Sequence, residues 1–315
     1  MIDQIKGWAG VKLNGLSINI DIVDNCVLRC PSCAQGSIGG RKPHKMDFVR
    51  FTRILDKIQI ETKIRHIMLY VYSDPFQHPE LHRFVGECTR RGIKTWLSTM
   101  LQTTFADFAR VIAARPTEFR ISLPGWDHMA YYQKGAKPEK FDEKFAKVCK
   151  LPRHPETTWT MFFQVYDNNQ HEIPKARKLA EDNGIKFVAV PSIFMPLEKV
   201  VEGNYSPQDD ELISHLIESP EEALNKMKRN TYCTCWKQLT LDARGQVYLC
   251  QLIYEDRFIL GKFFDKPIAE WRRLIQSDPY CSKCISVGAN VIEECYSDFT
   301  THADPVGHAN KKRRK

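Results

Sequence analysis

The sequence lacks the marks of a secreted or membrane-embedded chain. Its first residues, MIDQIKGWAG, place an acid at position 3 and hold no apolar run, so they do not read as a secretory signal peptide. No stretch approaches the roughly 18 consecutive apolar residues of a transmembrane helix. Internal repeats are missing, and so is low-complexity sequence outside the last five residues. A cytoplasmic location and no membrane partner are expected on these grounds. A strong charge imbalance is missing too. The net charge of +8 comes from 46 Lys and Arg against 38 Asp and Glu, but KKRRK at 311–315 holds five of the cations and leaves 41 against 38 elsewhere. The excess sits in a tail, which reads as a disordered solubilising end or as a lure for phosphate.

What the chain has in quantity is cysteine. There are eleven in 315 residues. Without a secretory signal they point to metal or redox chemistry rather than to a disulfide framework, and an odd count disfavours complete pairing. The length allows one domain of about 200 residues and a smaller one.

Short apolar, β-rich runs alternate with amphipathic stretches over the first 190 residues. Strands are predicted at Ser17–Val23, His66–Tyr72, Lys94–Ser98, Phe119–Leu123, Thr158–Gln164 and Lys186–Val190. Helices are predicted between them. One, from Asp47 to Ile60, gathers Val49, Phe51, Ile54, Leu55 and Ile58 on a face. Others span Pro79–Arg91, Phe141–Lys150 and His171–Asn183, and Cys88 and Cys149 read as their core residues. Six β-then-α units fit an α/β fold with a parallel sheet and right-handed crossovers. Six are too few to close an eight-stranded barrel, so a partial (β/α)6 barrel is expected, with its chemistry at the C-terminal ends of the strands. The style changes after residue 231. Gln238–Cys250 reads as a β-hairpin turning at Asp242–Gly245, and Asp265–Gln276 as a helix. The predicted organisation is a barrel at 1–191, a helical connector at 192–231, a small cysteine-bearing hairpin-plus-helix domain at 232–300 and a basic tail at 301–315.

The cysteines fall into two sets. The first strand is followed by Cys26-Val-Leu-Arg-Cys30-Pro-Ser-Cys33. Three thiolates on one loop leave one iron of a [4Fe–4S] cube without a protein ligand, free to coordinate a small molecule. The second set comprises Cys235, or alternatively Cys233, then Gly245, Cys250 and the pair Cys281-Ser-Lys-Cys284. The hairpin returns Cys250 towards its start, and the helix brings the pair to the same end. Four such thiolates suit a cluster, and also a zinc site.

The C-x3-C-x2-C loop after a β-strand resembles that of the radical S-adenosylmethionine superfamily. The resemblance implies that the amino acid moiety of S-adenosylmethionine chelates the unique iron. It also implies that the reduced cluster cleaves the carbon–sulfur bond, and that a 5′-deoxyadenosyl radical takes a hydrogen atom from the substrate. Further stretches resemble the family's cofactor contacts. Ser73-Asp74-Pro75 resembles the Gly-Glu-Pro segment that meets the amino group, though both family glycines are absent. Ser98 and Ser122 end the third and fourth strands where the family presents polar groups. Lys134, in Tyr-Tyr-Gln-Lys-Gly, stands in the place of an arginine that grips the carboxylate. Ser32 replaces an aromatic residue before the third cysteine, and Val27 replaces a frequent asparagine.

The second set resembles the auxiliary-cluster twitch domain, a shortened SPASM domain, and implies a second [4Fe–4S] cluster. The longer pattern needs further cysteines where Asn290 and Glu294 stand, so one auxiliary cluster is implied, and Cys295 is a spare thiol. An external electron donor such as flavodoxin or ferredoxin is implied as partner. The expected activity is oxidation, epimerisation or isomerisation of a small polar substrate. A nucleotide or nucleic-acid base and a peptide are the other substrate classes, and a non-catalytic metal-binding nucleic-acid module is the alternative of a different kind. His66, His78, Tyr166 and Asp167 lie near predicted strand ends, but no general base is assigned.

Overall fold

The computed structural model describes residues 15–24, 26–40, 42–102, 104–226 and 232–292; Cys295 and the basic tail lie outside the described residues. Six parallel strands build the first part: β1 (Leu16–Ile20), β2 (Ile64–Met68), β3 (Thr95–Thr99), β4 (Glu118–Leu123), β5 (Thr158–Val165) and β6 (Lys186–Pro191). They lie side by side in chain order. The helices between them are α1 (Ala34–Ser37), α2 (Phe48–Glu61), α3 (Leu81–Arg90), α4 (Phe108–Ala113), α5 (Met129–Tyr132), α6 (Pro138–Cys149) and α7 (Ile173–Asp182). This is the partial barrel that the alternation of elements predicts.

Strand β2 ends four residues earlier than its apolar run. The cause is Asp21, just past β1. Its buried carboxylate accepts the backbone N–H groups of Val71, Tyr72 and Ser73, at 2.9, 3.1 and 3.3 Å, and so bends the chain out of the sheet. In α2, capped by Asp47 on the Arg50 N–H, the residues Phe51, Ile54, Leu55 and Ile58 are buried. Val49 is not: it is 67% exposed, because at 100° per residue it stands almost opposite Phe51. Cys88 is fully buried among core side chains, and Cys149 is partly buried against them.

The connector carries α8 (Leu197–Glu202), α9 (Pro207–Ser214) and α10 (Pro220–Lys226). An ion pair between half-buried Lys199 and buried Asp209, at 2.6 Å, joins the first two. The C-terminal part contains β7 (Gln238–Leu241), β8 (Gln246–Tyr248), β9 (Ile259–Lys262), α11 (Ile268–Ser277) and α12 (Pro279–Val287). Its hairpin is continuous with the barrel sheet. Strand β7 pairs in parallel with β1, Ser17 opposite Gln238 and Ile20 opposite Leu241, giving a nine-stranded sheet in the order β6-β5-β4-β3-β2-β1-β7-β8-β9. The β7–β8 turn is fixed by Asp242, which accepts from Arg244 and Gln246, and by Gly245 at a φ of +75°. It is tied to the barrel through Asp24, whose carboxylate accepts the Ala243 N–H at 2.9 Å and pairs with Arg244. No helix of the described residues is long and apolar enough to cross a membrane.

Candidate functional site: two cysteine sets on one sheet

The first set lies at the C-terminal end of β1. Cys26 is buried and Cys30 and Cys33 are half-buried. The loop is held from several sides. The Cys33 N–H donates to the Cys30 carbonyl at 3.0 Å, and Cys33 is the N-cap of α1. The Arg29 N–H donates to the Lys134 carbonyl at 2.9 Å. Gln35 is buried and serves as a clamp: its Oε1 accepts the Cys26 N–H at 2.9 Å, and its Nε2 donates to the Tyr72 carbonyl at 3.1 Å. The cysteine loop and the loop after β2 are therefore one polar assembly, with Asp21 beneath it and Gln35 across it.

Electrostatics define what this loop can hold. Burial pushes the Cys26 thiol up to about 12, and the neighbouring charges of Asp74 and Cys33 add to the effect. Cys30 and Cys33 are raised too, first by burial; at Cys30 the other two thiols contribute, and at Cys33 Asp21 does. Thiols raised in this way stay protonated at neutral pH unless a metal takes the place of the protons. The donor set suits a soft cluster with more than one positive centre. Among the described residues, the one group of three or more potential ligand side chains within 4.8 Å of one another is Asp127, His171 and Glu172.

The other sequence-predicted residues are placed as follows. Ser73 is buried, and its hydroxyl donates to Asp21 at 2.6 Å. Asp74 is buried with both oxygens engaged: one accepts from the Phe76 N–H, the other from the Thr99 hydroxyl at 2.8 Å and the Met100 N–H. Burial raises its carboxyl to about 6, against the pull of these bonds. Pro75 opens the short 3-10 turn at 75–77 that Asp74 caps. Ser98 and Ser122 are neighbours across β3 and β4, with their hydroxyls 3.3 Å apart. Lys134 has an exposed side chain, and its carbonyl is what touches the cysteine loop. His66 lies within β2, stacked on Trp96 at 3.8 Å. His78 is tied to the Met46 carbonyl and the Glu80 N–H. Tyr166 is buried beyond β5, stacked on Tyr132 at 3.5 Å, with its hydroxyl 3.4 Å from that of Ser32. Asp167 pairs with His215 at 3.1 Å.

The second set is gathered around one cavity. Cys233, Cys235, Cys250, Cys281 and Cys284 all line it, among Leu197, Trp236, Leu249, Ile253 and other apolar groups. Cys233 precedes β7, Cys250 follows β8, and α12 supplies the pair. Burial raises Cys281 to about 12 and Cys284 further, and at both the next contributions come from Cys250 and Cys233. Cys235 lines the same cavity.

Sequence reasoning missed Asp21, Gln35, Asn169 and Glu172. Asn169 is fully buried and joins the ends of β4 and β5, donating to the Pro124 and Gln164 carbonyls and accepting the Tyr166 N–H. Glu172 accepts the Trp126 N–H at 2.7 Å, beside Gly125, where a Cβ would stand 2.0 Å from its carboxylate. No local motif signals these residues, because each bonds to backbone that is distant in sequence.

The fold is that of the radical S-adenosylmethionine enzymes. The chain is similar to Streptococcus suis SuiB bound to S-adenosylmethionine, with a TM-score of 0.58 and 12% identity over 84% of this chain and 66% of that one. SuiB bound to precursor peptide SuiA matches equally well, at 0.58 and 14% identity, over 84% and 65% of the two chains. The chain thus spans just under two thirds of the length of SuiB. A third similar structure, anSMEcpe with bound AdoMet, gives 0.54 and 15% identity over 95% of this chain and 99% of that one. No family model matches the sequence, and no curated protein matches it.

Proposed function

We propose that the chain is a radical S-adenosylmethionine enzyme with a first [4Fe–4S] cluster on Cys26, Cys30 and Cys33 and an auxiliary one on Cys233, Cys250, Cys281 and Cys284. The observation that carries this reading is the placement of three cysteines, one buried and two half-buried, at the C-terminal end of β1, on a fold whose similar structures hold S-adenosylmethionine. When bound, the first cluster would supply the electron that cleaves S-adenosylmethionine into methionine and a 5′-deoxyadenosyl radical. The chain's own residues prepare the place. Asp21 and Gln35 fix the two loops that face each other there. Ser98 and Ser122 offer hydroxyl groups along the strand ends. Asp74 acts through Thr99 and Met100 to hold the loop after β2 against β3.

The substrate proposed is a small polar molecule, oxidised, epimerised or isomerised. The inner faces of β3 to β5 carry Ser98, Ser122, Arg120 and Thr160, which suit hydroxyl-bearing ligands. A peptide is the second reading, favoured by the similarity to a structure that binds a precursor peptide. The test is anaerobic reconstitution with iron and sulfide, then reduction in the presence of S-adenosylmethionine. 5′-Deoxyadenosine is expected from the intact chain and not from Cys30→Ala. Zinc without iron after reconstitution would refute the reading. Deuterium transfer into 5′-deoxyadenosine from labelled sugars, nucleosides or peptides then assigns the substrate class.

A further inference from the structure

We propose that Tyr72 couples the two cysteine sets, so that the occupancy of the second is felt at the first; this rests on the reading that both sets hold clusters. Tyr72 is a buried side chain with a hold on each side. Its N–H donates to Asp21 and its carbonyl accepts from Gln35, whose other amide atom accepts the Cys26 N–H. Its hydroxyl reaches across to the segment after Cys250, lying 2.6 Å from the Gln251 carbonyl and 2.5 Å from the Ile253 carbonyl. Between those two residues the Leu252 N–H points at the Cys250 sulfur, 3.4 Å away. On the other side the Leu28 N–H points at the Cys26 sulfur at 3.5 Å. The same kind of amide-to-sulfur contact thus stands at both ends of a chain of bonds that passes through one tyrosine.

The surroundings make the link stiff. The Tyr72 ring packs with Ala34, next to Cys33, and with Tyr254, edge to face at 4.9 Å between centroids. Tyr254 is itself held by its N–H on the buried carboxylate of Glu198. A phenol has one hydrogen and here two carbonyls compete for it. A shift of the 251–253 segment changes which carbonyl receives it and pulls the ring against Ala34. The aromatic ring has no soft torsion beyond χ2 to absorb the movement. Packed chains with two discrete arrangements are what carry energetic coupling between sites, and such coupling is reciprocal.

A double-mutant cycle on the reconstituted full chain tests this. Cys284→Ala removes a ligand of the second set, and Tyr72→Phe removes only the hydroxyl while keeping the ring. Iron per chain is measured, together with the midpoint potential and electron paramagnetic resonance line shape of the first centre. Cys284→Ala is expected to shift both properties when Tyr72 is present and to shift neither in combination with Tyr72→Phe. Equal shifts with and without Tyr72→Phe, or no shift in either case, would overturn the coupling. So would selective loss of the second centre's iron in Tyr72→Phe alone, which would make Tyr72 a scaffold of that centre only. If Cys284→Ala does not fold, Cys281→Ser serves in its place. A wild-type chain that binds iron at neither set would refute the proposed function instead, and the iron count tells the two failures apart.

Discussion

Gly36 is where the cysteine loop leaves least room, and its replacement by alanine is a sharp test of the site. Gly36 lies in α1, the short helix that Cys33 opens. An added Cβ would stand 2.0 Å from the Cys30 carbonyl oxygen, 2.6 Å from the carbonyl carbon and 2.8 Å from that of Arg29. All three are backbone atoms, so no side chain can swing aside. Gly→Ala inside a helix ordinarily stabilises by about 0.5–1 kcal/mol through backbone entropy. Overpacking costs about 1–3 kcal/mol, and here the clash moves the loop itself. The steric effect therefore wins. Gly86 in α3 is the control, because a Cβ there meets nothing within 4 Å and only the entropy gain remains. The entropy gain is common to both, so the two Gly→Ala variants are expected to differ by the overpacking cost, about 1–3 kcal/mol. At about 2–4 °C per kcal/mol for chains of roughly this size, their melting temperatures separate by about 2–12 °C. Thermal unfolding of the metal-free proteins reads this directly, and iron bound by the first set in Gly36→Ala should fall. A Gly36→Ala chain as stable as Gly86→Ala and loaded with the same iron would refute the geometry of the loop.

Cys233→Ala is expected to cost the second set its iron, whereas Cys235→Ala keeps it, because Cys250 and Cys233 are the leading charges felt at Cys281 and Cys284; iron analysis and visible absorption check this, and equal loss in both variants would reject the proposed ligand set. His66 is buried, and burial, helped by Arg65, Arg120 and Lys94, lowers it to about 4. The unfolded chain takes up that proton near pH 6.5 and the folded chain only near 4. The unfolded state therefore binds more protons in between, and stability falls as pH falls through this window, by about 2 kcal/mol from this residue at pH 5. Urea titrations at pH 7 and 5 should show the loss in the wild type and a smaller loss in His66→Phe, which keeps the stack on Trp96; identical losses would reject the assignment. Asn169→Ala removes the partner of two carbonyls and one N–H, each costing about 1–3 kcal/mol if left unpaired, so its melting temperature should drop more than that of any exposed Asn→Ala; a neutral result would contradict the bonding at the β4–β5 rim.

Much of the fold was legible because its signals are local. Six apolar runs and the amphipathic stretches between them name a parallel sheet with crossovers, and the observed strands differ from the predicted ones chiefly at β1 and β2. There the ending is set by polar groups that a pattern cannot see. The apolar run continues to Tyr72, but the carboxylate of Asp21, 50 residues before Val71, takes the N–H groups of its last two residues and of Ser73. The helix α12 was missed although it carries Cys281 and Cys284. Its capping signal, Asp278 followed by Pro279, is present, but the face towards the cavity is short and carries two cysteines between Tyr280 and Ile285 rather than a long apolar stripe. The cysteine spacing itself was the most informative feature of the sequence. It could not choose between Cys233 and Cys235, because two residues apart both satisfy a variable gap, and both line the folded cavity.

The pairing of β7 with β1 explains why the two cysteine sets keep a fixed separation. Strand β7 runs parallel to β1, so its start, beside Cys233, lies at the opposite end of the sheet from the loop of Cys26. The β7–β8 turn rises to meet Asp24 at the upper end, and β8 descends to Cys250 at the lower. A four-residue strand spans about 13 Å, and that length is set by the ladder rather than by flexible loops. Asn19 locks the middle of the seam. It is fully buried, and its amide donates to Gln238, three residues after Cys235, at 2.7 Å and to Gln251, the residue after Cys250, at 2.6 Å. Sliding the hairpin by a single residue would turn Gln238 to the other face and break both bonds at once. The distance between the sets is therefore a property of strand register. Tyr72, which spans the same seam from the side of β2, works against a frame that does not stretch.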